Sequence, residues 1–290
     1  MTASPVRIAS DALSATIAPM GAELQTLTTG DGAELLWNGD AAWWTGRSPV
    51  LFPIVGRAPE DRIAIGDFTA PMAQHGFARR TEFELADTTA TSCRHILRDS
   101  EATRAVYPFA FELAQDHALD GATLSVTTKV TNTGTDPMPF GLGFHPAFAW
   151  PLPGAAGQPH AITLDNSAEP VLARIEDGLL PDSRLPSPFT NGRMTLSHDQ
   201  FKADAMIFPE GAGKGLRYGP DSGPALQFTF KNLPNLALWQ KPGAPFLCVE
   251  PWHGMTARKD AGHQITDRPG TLTLAPGTAA RFSWSVTWRP

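Results

Sequence analysis

The stretch FAFELAQDHALDGATLSVTTKVTN, residues 109–132, decides the fold class. Apolar and polar residues alternate on both sides of the dipeptide Asp120-Gly121, and a period of two places every second side chain on the same face of a strand. An Asp-Gly pair between two alternating runs is the strongest short-range signal for a β-hairpin. The stretch therefore predicts two antiparallel strands joined by a tight turn.

Other runs in the chain predict further short strands. The C-terminal run alternates large apolar residues with polar or small ones, as in a strand with one buried face, at Phe282, Trp284, Val286 and Trp288. Three runs separated by proline-containing turns predict consecutive antiparallel strands: Leu226–Lys231, Leu236–Gln240 and Phe246–Glu250. One segment, Asp199–Phe208, is expected to form a short helix.

Composition agrees with a chain that turns often. The 290 residues include 26 glycines and 27 prolines, and these interrupt every helical pattern within about three turns. An α/β doubly wound fold is therefore disfavoured, and no repeat or linker divides the sequence. We expect one domain over residues 1–290, an all-β, large antiparallel β-sandwich.

Charge and cysteine content exclude several classes of protein. The net charge of −6 and the low isoelectric point leave no basic surface for nucleic acid. Residues 137–164 lack charged side chains, but their prolines are incompatible with a membrane helix. The N-terminus lacks a secretory pattern, so we expect a cytoplasmic protein. Two cysteines are too few for a disulfide framework, and Cys248 is interpreted as a small core residue.

Five polar residues stand in apolar or aromatic surroundings. They are Arg57 in LFPIVGR, His75 in QHGFARR, His145 in GFHPAF, Asp204 in FKADAMIF and Glu250 in FLCVEPW. Four of them have an ordinary interpretation: a strand-end carboxylate in solvent for Glu250, a hydrogen-bonded core histidine for His145, a turn histidine for His75 and a surface ion pair for Arg57. Each also has a chemical one, since Glu250 in a dry cleft can act as a general base and Arg57 can bind hydroxyls or a carboxylate.

The order of these five motifs resembles the aldose 1-epimerase (galactose mutarotase) family, in particular its bacterial aldose epimerase-like branch. The similarity runs from about Ile8 to the last strand, and five motifs in the right order are specific where HGF or EPW alone is not. The resemblance implies a galactose mutarotase-like β-sandwich, an isomerase of carbohydrate metabolism with a sugar-binding cleft, and no cofactor or metal. It implies a small-molecule sugar as partner. From the sequence as a whole we expect neither nucleic acid nor membrane as a partner, and a monomer or homodimer.

The resemblance also implies roles for individual residues. Glu250 would remove the proton of the C1 hydroxyl, His145 would protonate the ring oxygen, and His75 would hydrogen-bond the sugar or share the acid role. The remaining positions would bind substrate, by gripping hydroxyls or by stacking on the pyranose: Arg57, Asp204, Trp44 and Phe148. Val55-Gly56-Arg57 and His145-Pro146-Ala147-Phe148 depart from the motifs of galactose mutarotases proper, which leaves the identity of the sugar open.

Three alternatives remain at this point. A related group acts on hexose 6-phosphates, for which Arg79-Arg80, Lys202 or Arg258 are candidate ligands. A carbohydrate-binding module of the same fold without catalysis is the second. A metal-dependent enzyme of cupin type, using His75, His145, Glu250 and His253, is the third, although none of the eight histidines lies two residues from another.

Overall fold

The computed structural model describes residues 4–290, which contain 22 strands and little helix. The strands are β1 Val6–Ala9, β2 Leu13–Ala18, β3 Glu23–Thr29, β4 Val50–Leu51, β5 Arg62–Ile65, β6 Phe68–Pro71, β7 Glu84–Thr88, β8 Ser92–Arg98, β9 Phe111–Asp120, β10 Thr123–Asn132, β11 Met138–Phe140, β12 Gly143–Phe144, β13 Ala147–Ala149, β14 Ala161–Leu164, β15 Arg193–Thr195, β16 Met206–Phe208, β17 Gly215–Gly219, β18 Ala225–Lys231, β19 Asn235–Trp239, β20 Phe246–Trp252, β21 Leu272–Leu274 and β22 Ala279–Arg289. The helical segments are α1 Glu101–Arg104 and the 3₁₀ turns Pro59–Asp61, Ala78–Arg80, His198–Phe201 and Ile265–Asp267.

A nine-stranded antiparallel sheet forms one layer, in the order β15-β14-β17-β18-β22-β10-β9-β8-β7. The predicted hairpin is confirmed as β9 and β10, with Asp120 opposite Thr123 and Asn132 opposite Phe111. Gly121 has φ +52°, a value that favours glycine at the turn. The C-terminal strand β22 lies in the middle of the sheet, between β10 and β18.

A six-stranded sheet forms the facing layer and contains β16, β19, β20, β12 and β4, with β13 also paired to β20. The expectation of three consecutive strands is confirmed only for β19 and β20, which pair directly. Leu226–Lys231 is a strand, but it belongs to the nine-stranded sheet as part of β18. The turn before Asn235 carries the chain from one layer to the other, a change that local alternation does not encode.

Aromatic side chains fill the space between the layers. Phe148 of β13 contacts Phe228 of β18 with ring centroids 5.1 Å apart, and Phe144 contacts Trp284 of β22 at 6.3 Å. Two facing antiparallel sheets with a shared apolar core make an all-β sandwich, as the sequence predicts. None of the helices in residues 4–290 has the length and apolar content that a membrane crossing needs.

The helix expected over Asp199–Phe208 is wrong. A 3₁₀ turn spans His198–Phe201, and Met206–Phe208 forms β16. Met206, Ile207 and Phe208 pair with Leu238, Ala237 and Leu236 of β19 and are buried. Burial in a sheet layer outweighs the weak local helix propensity of the segment.

Candidate active site

A cavity of about 600 Å³ opens on the six-stranded sheet. Five of the predicted site residues line it: Trp44, His75, His145, Asp204 and Glu250. Its wall also includes residues that the sequence analysis did not assign to the site, among them Glu23, Gln74, Trp239 and Trp252. Trp252 stands inside the EPW motif, which could have indicated it, whereas Trp239 has no comparable signal.

Strand register places His145 beside Glu250. Ala147 lies opposite Cys248 and Gly143 opposite Trp252, so His145 comes level with Glu250 between these two pairs. The His145 Nε2 to Glu250 Oε2 distance is 3.3 Å, and the two side chains are 9% and 2% exposed. The two side chains therefore form a close, buried pair at the floor of the cavity.

Burial controls the charge of this pair. It lowers the pKa of His145 to about 3, and it raises the pKa of Glu250 well above its ordinary value, with a further increase from the Asp204 carboxylate. Both directions favour a pair of zero net charge that holds one proton between the two reactive groups at neutral pH. A shift of that proton over 3.3 Å converts an acid–imidazole pair into a carboxylate–imidazolium pair.

His75 is fixed in one tautomer. The Gly56 backbone N–H donates to its Nδ1 at 3.0 Å, so Nδ1 is the acceptor and Nε2 carries the proton. Burial, with His145 and nearby arginines, holds the pKa of His75 well below its ordinary value. Protonation would set an Nδ1–H against the Gly56 N–H. His75 is thus a neutral hydrogen-bond donor rather than a source of protons.

The backbone around His75 is unusual. His75 itself has φ +66° and Gly76 φ +71°. A Cβ at position 76 would lie 2.1 Å from the Phe52 carbonyl oxygen, so only glycine fits. The glycine of the HGF motif therefore allows the backbone to pass close to Phe52. In this conformation the His75 ring lies next to that of His145, with ring centroids 5.6 Å apart.

Tryptophans form one wall of the cavity. The Trp44 ring lies 4.9 Å from the His145 ring and 5.5 Å from Trp239. The Trp37 indole N–H donates to the Trp44 carbonyl at 2.8 Å and holds the loop in place. Such a wall suits the apolar face of a pyranose.

Asp204 and Arg79 supply charge at the cavity. Asp204 has φ +64°, is exposed, and accepts a hydrogen bond from the Ala205 N–H at 2.8 Å. Arg79 donates to the Gln74 carbonyl at 2.9 Å, and burial, with Arg80, lowers the pKa of Arg79 to about 10. Arg79 and Arg80 both line the cavity.

Two predicted substrate-binding residues lie outside the lining. The Arg57 guanidinium donates to both Asp61 carboxylate oxygens at 2.9 Å and is largely exposed. A bidentate surface pair with a residue four positions along the chain thus holds this side chain outside the cavity lining. Phe148 is fully buried against Phe228 and Trp284, so it cannot stack on a ligand in the cavity.

The residues that could hold a metal ion in this cavity differ from the set considered for the metal-dependent alternative. His253 does not line this cavity, because its Nδ1 lies 2.8 Å from the Asn232 carbonyl beside another pocket. Cys248 instead joins His145 and Glu250, and potential ligand atoms of all three lie within 4.8 Å of one another. Burial, with Glu250, raises the pKa of the Cys248 thiol well above its ordinary value, which keeps it protonated.

Comparisons with known proteins concern the family and the fold of the chain. The model of the aldose 1-epimerase family matches residues 5–271. A galactose mutarotase related enzyme from Lactobacillus acidophilus has 30% identity and a TM-score of 0.93, with 99% of this chain and 98% of that one covered. A galactose mutarotase-like protein from Lactobacillus casei has 27% identity and a TM-score of 0.91, with coverage of 99% and 100%. Protein LacX, chromosomal, of Lactococcus lactis is 29% identical over 92% of this chain and 94% of its own length.

Proposed function

Because this chain belongs to the aldose 1-epimerase family, we propose that it interconverts the α- and β-anomers of a free aldose in the cavity described above. The observation that carries the proposal is the buried pair of His145 Nε2 and Glu250 Oε2 at 3.3 Å. Anomer exchange needs one base and one acid, and this pair supplies both.

The reaction opens and recloses a hemiacetal. The proton of the pair first shifts from Glu250 to His145, which gives a carboxylate and an imidazolium. Glu250 then takes the proton of the C1 hydroxyl while His145 delivers a proton to the ring oxygen, so the bond between C1 and the ring oxygen breaks and C1 becomes an aldehyde. Rotation about the C1–C2 bond exposes the other face of the carbonyl. The ring hydroxyl then attacks, with both proton transfers reversed, and the pair recovers its original proton.

Other side chains of the cavity orient the sugar for these proton transfers. His75 Nε2–H donates to the ring oxygen or an adjacent hydroxyl, Asp204 accepts from ring hydroxyls, and Trp44 covers the apolar face of the sugar. The pair requires neither a cofactor nor a change of net charge, because each proton taken at one atom is returned at another.

The test is an NMR anomer-exchange screen over free hexoses and pentoses. We expect His145→Asn and Glu250→Gln to lower the exchange rate by about 10²–10⁴-fold each with sugar binding retained. His253→Asn is the matched control, since it changes a histidine outside this cavity. Wild-type exchange in Glu250→Gln would place the base elsewhere, and a wild type that binds sugars without exchanging any would favour a binding module.

A second candidate substrate class is the hexose 6-phosphates, favoured by Arg79 and Arg80 in the cavity wall. Lys202 and Arg258 do not contribute, because they pair with Asp199 at 2.7 Å and Asp182 at 3.0 Å outside it. If phosphate is recognised, Arg80→Gln should lower kcat/KM for a hexose 6-phosphate at least about tenfold and leave the free hexose unaffected. Equal losses for both sugars would contradict phosphate recognition.

A further inference from the structure

We propose that Cys248, His145 and Glu250 form an inhibitory binding site for a thiophilic divalent cation, with Zn²⁺ as the fitting ion. The site goes beyond the proposed function, because cation binding is measured without any sugar. The three residues contribute sulfur, nitrogen and oxygen, a donor set that suits zinc and not the oxygen-seeking Mg²⁺ or Ca²⁺.

Strand geometry brings the three donors together. Cys248 and Glu250 are two residues apart in β20 and so share one face, and His145 lies level with Glu250 on the adjoining segment. The three potential ligand atoms lie within 4.8 Å of one another. Tetrahedral zinc separates neighbouring ligands by about 3.3–3.7 Å, and His145 Nε2 and Glu250 Oε2 are already 3.3 Å apart. Only the sulfur has to approach.

Net charge also favours a divalent ion. Zn²⁺ with one thiolate, one carboxylate and one neutral imidazole sums to zero, which is the state that a buried site accommodates at least cost. Binding releases two protons, one from the thiol and one from the His145–Glu250 pair, and oxidises nothing. The ionisable groups that face the trio from other segments are Asp204, His75 and Arg79.

Access and environment fit an inhibitor rather than a structural metal. His145 and Glu250 line the cavity, so an ion reaches them from solvent and its fourth ligand comes from the cavity side. Cys248 sits behind them, fully buried with Trp37, Ala147 and Phe246. An ion at this point occupies both reactive groups at once, so sugar chemistry stops while it is bound.

Co²⁺ is the probe, because its bond to a thiolate gives a near-ultraviolet charge-transfer band that Zn²⁺ abolishes on displacement. We expect this band in the wild type and its loss in Cys248→Ala, with Co²⁺ affinity lower by at least the roughly 10–100-fold that loss of an outer-shell partner already costs. Cys93→Ala is the matched control, since Cys93 is buried in β8 of the other sheet. It should keep the band.

The outcomes decide the proposal directly. No band in the wild type, a band that persists in Cys248→Ala, or a band lost in Cys93→Ala instead would each overturn it. Should Cys248→Ala unfold, Cys248→Ser removes the same thiolate with less change in volume. In the exchange assay, each protein is compared with its own uninhibited rate. Zn²⁺ should inhibit the wild type, and a chelator should restore the rate. Half-inhibition of Cys248→Ala should require about 100-fold more Zn²⁺. A protein that exchanges no sugar but shows the Co²⁺ band would refute the proposed function alone.

Discussion

Replacement of Glu250 by glutamine should stabilise the protein while it lowers the exchange rate, and the stabilisation should grow with pH. In the folded wild type the pKa of Glu250 is well above 4.5, its ordinary value, because the carboxyl is buried. Its side chain is only 2% exposed, so the effect is not screened by solvent. The unfolded chain instead ionises this carboxyl near pH 4.5, and the folded state therefore binds one more proton than the unfolded state at neutral pH.

This additional proton determines how the free energy of unfolding changes with pH, both in sign and in size. A folded state that holds an extra proton loses stability as pH rises, by about 1.4 kcal/mol per pH unit while Glu250 stays protonated. The glutamine amide of the variant binds no proton in either state, so this loss disappears. As the pH rises from 6, the free energy of unfolding of Glu250→Gln relative to wild type should therefore increase by about 1.4 kcal/mol per pH unit for as long as Glu250 stays protonated in the folded wild type.

The assay is urea unfolding at pH 6, 7 and 8 for wild type and Glu250→Gln, with equal m-values required for the comparison. Glu84→Gln is the control for loss of a glutamate, because the Glu84 side chain is 73% exposed. A constant difference between Glu250→Gln and wild type from pH 6 to pH 8 would show that Glu250 is ionised in the folded state. The description of a shared proton would then be wrong.

Three further predictions concern the core, the backbone near the site and acid stability. Phe148→Ala should lower the free energy of unfolding by about 3–5 kcal/mol, because its ring is fully buried against Phe228; an unchanged KM in the folded variant would agree with its place in the core, and an increased KM would contradict it. Gly76→Ala should cost about 3 kcal/mol, since its Cβ would lie 2.1 Å from the Phe52 oxygen at φ +71°, and a thermal unfolding temperature equal to wild type would refute this. Burial lowers the pKa of His117 to about 3, so the wild type should lose stability from pH 6.5 to pH 4, and His117→Gln should lose about 1.4 kcal/mol less per pH unit in urea unfolding; parallel pH curves for the two proteins would contradict the assignment.

Local patterns predicted the parts of the fold that depend on local chemistry. Alternation and the Asp120-Gly121 turn were enough for the hairpin of β9 and β10, because register there follows from the turn. They could not assign Leu226–Lys231 to the correct layer. That choice depends on pairing with β22, more than 50 residues farther along the chain.

The candidate site was likewise predicted from sequence only in part. The motifs around His75, His145, Asp204 and Glu250 correctly indicated residues that line one cavity. Arg57 lies outside the lining and pairs with Asp61 at the surface, and an ion pair of this kind cannot be distinguished from a ligand-binding arginine in one sequence. Trp239 was missed because its approach to the cavity depends on how the six-stranded sheet assembles.

The central position of β22 has a consequence for folding kinetics. Strand β22 joins β10 to β18, and it follows both of them in the chain. Until it pairs, β10 and β18 each present an open row of backbone donors and acceptors, which is a template for association between chains. The slow, long-range closure of the sheet is therefore the step at which aggregation competes with folding. Dilute refolding conditions should favour the native protein, and substitutions that weaken β22 should reduce the refolding yield at high concentration before they reduce the stability of the folded state.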